Sequence, residues 1–141
     1  MSKINPPILL IEDNPMDVDL TRRAFARRKI PFPIEVARDG EEAVLLVDRW
    51  EPGKPQPIVI LLDLKLPKID GLQVLRHLKT HKRFKLVPVV ILSTSAEERD
   101  IMAAYKEGAN SYIVKPVDFD KFMQVVDQIE MYWCGLNQLP E

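Results

Sequence analysis

The sequence predicts an α/β domain with a parallel sheet, on two observations. Short apolar, β-branched runs recur along the chain, and the stretches between them are longer, amphipathic and opened by helix-capping residues. The runs that read as strands are Ile8 to Ile11, Ile34 to Val36, Ile58 to Leu62, Val89 to Leu92 and Tyr112 to Val114. A continuous apolar run is the mark of a strand covered on both faces. Parallel strands joined by right-handed crossovers put helices on both sides of the sheet, so the pattern is a three-layer (βα)5 sandwich.

Each helix has a start signal. Asn14-Pro15 sets a capping side chain before a proline suited to the first helical position, and Asp39, Asp70 and Asp118 are cap candidates for the second, third and fifth helices. Ser95-Ala-Glu-Glu98 reads as a capping box for the fourth helix, with Gly108 as its stop. Glu51-Pro-Gly-Lys-Pro-Gln-Pro57 is a stiff loop feeding the third strand. The expected organisation is a leader over residues 1–7, one domain over 8–130 and a C-terminal aromatic tail over 131–141.

Composition narrows the function classes. Lys plus Arg number 20 against 21 Asp plus Glu, a net charge of -1, which offers no bulk attraction for nucleic acid or an anionic membrane. The apolar runs are far shorter than the ~20 residues of a membrane helix. Cys134 is the single cysteine, which excludes an intrachain disulfide and suits a reducing compartment, so a cytoplasmic location and a protein partner are expected.

Polar groups terminate the apolar runs. The first run ends in Glu12-Asp13, the third in Asp63 and the fourth in Ser93-Thr94-Ser95, while Lys115-Pro116 follows the fifth. In an open parallel sheet these all fall on the carboxyl edge, where ligand sites form. Helix capping does not account for the acids: Glu12 and Asp13 precede a better cap in Asn14, and Asp63 has no helix directly behind it. Acids gathered at one place raise one another's pKa unless a cation neutralises them. Mg²⁺, which prefers carboxylates, waters and a phosphate oxygen, suits such a cluster, and Lys115 adds positive charge for a phosphoryl group.

These motifs, together with Asp63-x-x-x-Pro67, Asp70-Gly71 and Tyr112, resemble the receiver domain of two-component response regulators over Ile8 to about Ile129. The resemblance implies a flavodoxin-like fold with strand order 2-1-3-4-5. It makes Asp63 the phosphoryl acceptor from a sensor histidine kinase, and gives Mg²⁺ the ligands Asp13, Asp63 and the main-chain carbonyl of Lys65, with Glu12 reaching it through water. Ser93 and Tyr112 become the switch residues, Lys115 the phosphoryl contact and the α4-β5-α5 side the output surface. Such a protein is a phosphoacceptor rather than an enzyme, apart from Mg²⁺-dependent self-phosphorylation and autodephosphorylation.

Within the family the chain resembles the single-domain regulators that partner bacterial and cyanobacterial phytochrome kinases, through the Ser-Thr-Ser run, the block from Leu61 to Gly71 and the Tyr132-Trp133 tail. It departs from the usual pattern in Glu12 where aspartate is commoner, in Thr94 where a small residue is usual, and in the cationic Lys65. An alternative reading is a phosphorylation-independent receiver that acts as a protein-binding module. A dehalogenase-type phosphatase would need a second acid at position 65, which is Lys.

His77 and His81 stand four apart on a helix, but the sequence shows no acid or cysteine completing a metal set, and they read as a solvated face. The basic cluster Arg22, Arg23, Arg27, Arg28 and Lys29 also reads as solvated, with kinase docking as the alternative that the resemblance raises. A fifth helix from about Asp118 to Cys134 outruns its strand, so a homodimer through this helix and the tail is expected.

Overall fold

A computed structural model of the chain describes residues 5–27 and 32–140. Residues 1–4 of the expected leader, Arg28 and Lys29 of the basic cluster, and the terminal Glu141 lie outside the described residues. The elements in order are β1 (Ile8–Ile11), α1 (Pro15–Ala26), β2 (Ile34–Ala37), α2 (Gly40–Asp48), β3 (Val59–Leu62), α3 (Gly71–Thr80), β4 (Val89–Ser93), α4 (Glu98–Lys106), β5 (Ser111–Val114) and α5 (Phe119–Met131). All pairings are parallel and the strand order is β2-β1-β3-β4-β5, as expected.

The side-chain alternation of the strands sorts the core into two faces. Leu9, Ile11, Ile60, Leu62, Val89 and Ile91 point to one side, against Ala43 and Val47 of α2, Val74, Leu75 and Leu78 of α3, and Ala104 of α4. Ile8, Leu10, Val59, Leu61, Val90 and Leu92 point to the other, against Val18, Ala24 and Phe25 of α1 and Phe122, Val126 and Ile129 of α5. That two-sided coverage is why these strands read as unbroken apolar runs.

Four of the expected caps form. Asn14 accepts from the backbone N–H of Met16 at 2.9 Å, Asp39 from Glu42 at 2.7 Å, and Asp118 from Asp120 at 2.8 Å. Asp70 and Gln73 make a reciprocal capping box at the start of α3. The box expected at Ser95 does not form. α4 begins at Glu98 without a side-chain cap, because the Ser95 hydroxyl is occupied by the Asp100 carboxylate and the Glu97 N–H. At the other end of α4, Gly108 adopts φ +101°, and the N–H groups of Gly108 and Ala109 close back on the carbonyls of Tyr105 and Ala104. This is a Schellman stop that a side chain would strain.

Two glycines hold the β3–α3 loop in place by close approach: a Cβ on Gly40 would meet the Ile69 carbonyl oxygen at 1.8 Å, and Gly71 is as tightly confined. A Cβ on Gly71 would stand 2.4 Å from the Leu64 Cα and 2.6 Å from the Asp63 carbonyl oxygen, so only glycine lets α3 start directly behind Asp63.

The C-terminal end differs from the expected overhang. α5 stops at Met131 and the chain continues as a π-helical turn, Tyr132–Leu136. Trp133 and Cys134 pack back against the α1/α5 side of the core, while Met131, Tyr132 and Leu136 stay exposed. Phe119, expected on the buried stripe, is exposed at the first position of α5. The tail therefore tucks one aromatic ring under its own domain and leaves the other outside.

Candidate functional site

The site is an extension of the sheet. Glu12, Asp63 and Lys115 each follow directly on a strand, and each backbone N–H makes one further inter-strand bond: Glu12 to the Ala37 carbonyl at 3.0 Å, Asp63 to Ile11 at 3.0 Å, and Lys115 to Ser93 at 2.7 Å. Their side chains thereby share the carboxyl edge. They line a cleft of about 410 Å³ with Asp13, Asn14, Pro15, Asp17, Lys65 and Thr94. Glu12, Asp63 and Lys115 are buried, whereas Asp13 is exposed.

One ammonium serves several acids here. Lys115 Nζ donates to Glu12 Oε1 and to Asp17 Oδ2 at 2.9 Å, and lies 3.5 Å from Asp63 Oδ2. Burial on its own would lower the Lys115 pKa, but hydrogen bonds to Glu12 and Asp17 outweigh it and raise the group above its ordinary value. Lys115 is thus firmly charged. Burial pushes Glu12 up to about 7 against the pull of Lys115, with the Asp63 charge adding to the rise.

Glu12, Asp13 and Asp63 offer carboxylate oxygens that all lie within 4.8 Å of one another. Four acids, counting Asp17, line a cleft that holds a single buried ammonium, so the cleft keeps an excess of negative charge. Hard oxygen donors with surplus negative charge fit Mg²⁺ or Mn²⁺. Two of these acids have further anchors: Glu12 Oε2 accepts from the Asn14 N–H at 3.2 Å, and Asp63 Oδ1 from the Lys65 N–H at 3.1 Å.

Ser93 and Thr94 divide between two cavities. Thr94 is exposed and faces the acid cleft. Ser93 is fully buried and lines a smaller cavity of about 170 Å³ with Lys65, Asp70 and Asp100. Its hydroxyl accepts from the Ser95 N–H at 3.2 Å, and the Ser95 carbonyl accepts from the Tyr112 hydroxyl at 2.9 Å. Tyr112 lies half-buried against the α2/α3/α4 side of the core.

The histidine pair corrects the solvated-face expectation. Asp48 of α2 supplies the acid that the sequence could not show, with Oδ1 at 2.7 Å from His77 Nε2 and 3.5 Å from His81 Nε2. The His81 Nδ1 accepts from the Arg83 N–H at 3.1 Å, which puts the proton of the neutral ring on Nε2. That nitrogen therefore faces Asp48 Oδ1 as an N–H at 3.5 Å rather than as a lone pair, and the hydrogen bond that ties α3 to α2 is the one between His77 and Asp48. In the basic cluster, Arg23 pairs with Asp19 at 3.0 Å and Arg27 with Asp127 of α5 at 2.9 Å.

Asp17 is the site residue that sequence reasoning missed. It sits in the first turn of α1, where an acid needs no explanation beyond the helix dipole. Its partner Lys115 is distant in sequence, and only the fold brings them together.

The match to known proteins agrees with this geometry. The response regulator receiver domain family matches residues 8–127. The probable methanogenesis regulatory protein FilR2 of Methanothrix harundinacea (strain 6Ac) is 41% identical over 134 residues, 94% of this chain and 86% of its own length. Response regulator Rcp1 of Synechocystis sp. (strain ATCC 27184 / PCC 6803 / Kazusa) is 36% identical over 96% of this chain and 95% of its own. The crystal structure of the Mn²⁺-bound form of Rcp1 superposes with a TM-score of 0.89, at 34% identity over 96% of this chain and 99% of that one. The phosphorylated cyanobacterial phytochrome response regulator RcpA has a TM-score of 0.91, at 37% identity over 98% of this chain and 100% of its own. An acid cluster at the carboxyl edge of a 2-1-3-4-5 parallel sheet, matched over nearly the full domain, is carried by a chain that belongs to the response regulator receiver domain family.

Proposed function

We propose that this receiver takes a phosphoryl group on Asp63 from the phosphohistidine of a sensor kinase of the phytochrome class, in a reaction that needs a divalent cation. The observation that carries this reading is a buried carboxylate, Asp63, at the mouth of a charged cleft, with an ammonium 3.5 Å from one of its oxygens. An Asp63 oxygen attacks phosphorus, a P–O bond forms, and the P–N bond breaks with its electron pair leaving on the imidazole, which takes a proton from water. Asp13, Asp63 and the Lys65 carbonyl would hold Mg²⁺, with Glu12 reaching it through water. Bound there, the ion supplies charge neutralisation for the phosphoryl oxygens. Lys115 supplies a compact cation to the same oxygens. The Mn²⁺ held by Rcp1 supports the metal, and the likeness to RcpA supports a phytochrome kinase.

The Ser93 hydroxyl accepts from the Ser95 N–H and keeps its own proton to donate, so a bond to the phosphoryl group would pull on its contact with Ser95. Ser95 is the node that passes this on, since its carbonyl holds Tyr112 and its hydroxyl holds Asp100 at the start of α4. The output is then a shift of the α4-β5-α5 surface. Incubation with acetyl phosphate and Mg²⁺ should add one phosphoryl group to the intact mass, and chelation should prevent it. A phytochrome kinase should transfer faster than an unrelated histidine kinase; equal rates would remove the phytochrome link and favour a pathway such as that of FilR2. No uptake from any donor would leave the phosphorylation-independent binding module.

The same surface supports a homodimer. Met102 and Tyr105 of α4, Val114 of the edge strand β5, and Val117 and Phe119 beyond it are exposed, and Tyr132 and Leu136 extend the apolar area into the tail. Because Trp133 packs on its own domain, it is a poor probe of association; Phe119→Glu is the clean one. Sedimentation at micromolar concentration should give a dimer for the wild type and a monomer for the variant, with unchanged circular dichroism. A monomeric wild type rules this interface out.

A further inference from the structure

We propose that Asp17 is a positioning residue for Lys115, holding its ammonium on the α1 side of the cleft so that Asp63 stays open to attack phosphorus. An ammonium has three donors, and here they face three carboxylates: Glu12, Asp17 and Asp63. The contact to Asp17, 2.9 Å, is a full hydrogen bond; the contact to Asp63, 3.5 Å, is at its outer limit. Asp17 itself is fixed from both ends. Its N–H donates to the Asn14 cap at 3.3 Å, and its carbonyl accepts from the Thr21 hydroxyl at 2.7 Å, with Thr21 buried. With its backbone held, the short Asp17 side chain moves only about its own torsions, and the longer lysine arm spans the distance to it.

Asp17 also stands apart from the acids that could hold a cation, since the clustered oxygens are those of Glu12, Asp13 and Asp63. Its role is therefore exerted through Lys115. Without the Asp17 charge, the freed donor turns to the nearest remaining acceptor, Asp63. The lysine then masks the oxygen that must attack, and uptake slows. Once the acyl phosphate has formed, the same lysine has no competing acid on α1 and stays on the phosphoryl oxygens. Uptake and lifetime thus move in opposite senses, which a merely loosened site would not produce.

The inference rests on Asp63 being the acceptor, and the test separates the two. In Asp17→Ala, which removes the acceptor altogether, loss of a charge-assisted hydrogen bond should slow uptake from acetyl phosphate about tenfold and lengthen the acyl-phosphate half-life. In a Lys115→Met background the same substitution should change uptake by less than about twofold, because its effect passes through the missing ammonium. Equal fold-changes in both backgrounds, or a shortened half-life, would overturn the role. A readout independent of phosphorylation is the ¹⁵Nζ resonance of Lys115, which should shift in Asp17→Ala. An unmoved resonance refutes the positioning even if the wild type takes up no phosphate, an outcome that would itself refute only the acceptor assignment.

Discussion

Asp63→Asn should abolish phosphoryl uptake, leaving the intact mass unchanged after incubation with acetyl phosphate and Mg²⁺. The amide keeps the volume of the carboxylate and can still accept from the Lys65 N–H at Oδ1, so the loop after β3 is preserved. What disappears is the anionic nucleophile. The substitution also removes one acid from a cleft with four, so without metal the variant should melt no lower than the wild type, because like-charge repulsion falls. Uptake by this variant at normal stoichiometry would move the acceptor elsewhere. Loss of uptake accompanied by a collapsed melting transition would mean that the side chain was structural.

The largest effect on stability is expected from Phe84→Ala. Phe84 is completely buried in the connection from α3 to β4, with its ring edge-on to Trp50 at 5.4 Å and to His81 at 5.3 Å between centroids. Removing a ring from such a site loses its transfer energy and leaves a cavity that two aromatic neighbours cannot collapse, a cost of about 3–5 kcal/mol. Urea unfolding followed by circular dichroism measures it, with the slope unchanged if only the native state is affected. A loss below about 1 kcal/mol would mean that the pocket refills. His81 packs on this ring and stands beside the His77–Asp48 bond, so the same variant should loosen the contact between α2 and α3.

The sequence made the layers legible because the physics is local. A run such as Ile58 to Leu62 announces a doubly covered strand, and Asn14, Asp39, Asp70 and Asp118 announce helix starts within a few residues of themselves. The strand order is not local, and came only from the family resemblance. The errors have the same origin. Ser95 looked like a cap on spacing alone, but Asp100 and Tyr112, brought up by α4 and β5, recruit its hydroxyl and its carbonyl. The histidines looked solvated because Asp48 lies 29 residues away, and Asp17 looked like an ordinary first-turn acid because Lys115 lies 98 residues away. Glu12, Asp13, Asp63 and Lys115 could be found because each interrupts or ends an apolar run, a signal that a residue inside an amphipathic helix cannot give.

The single extra ladder bond made by Glu12, Asp63 and Lys115 turns the sheet into a ruler for the cleft. Neighbouring strands are about 4.8 Å apart, so Lys115 on β5 is two such spacings from Asp63 on β3 and three from Glu12 on β1. Only a long arm from one side, met by an arm from the other, bridges the wider gap. Glutamate at position 12 is longer than aspartate by one methylene, about 1.5 Å. An aspartate there would fall short of the ammonium and leave it to Asp17 and Asp63 alone. The choice between two acids at one position therefore decides whether the lysine is moored from both banks of the cleft or from one.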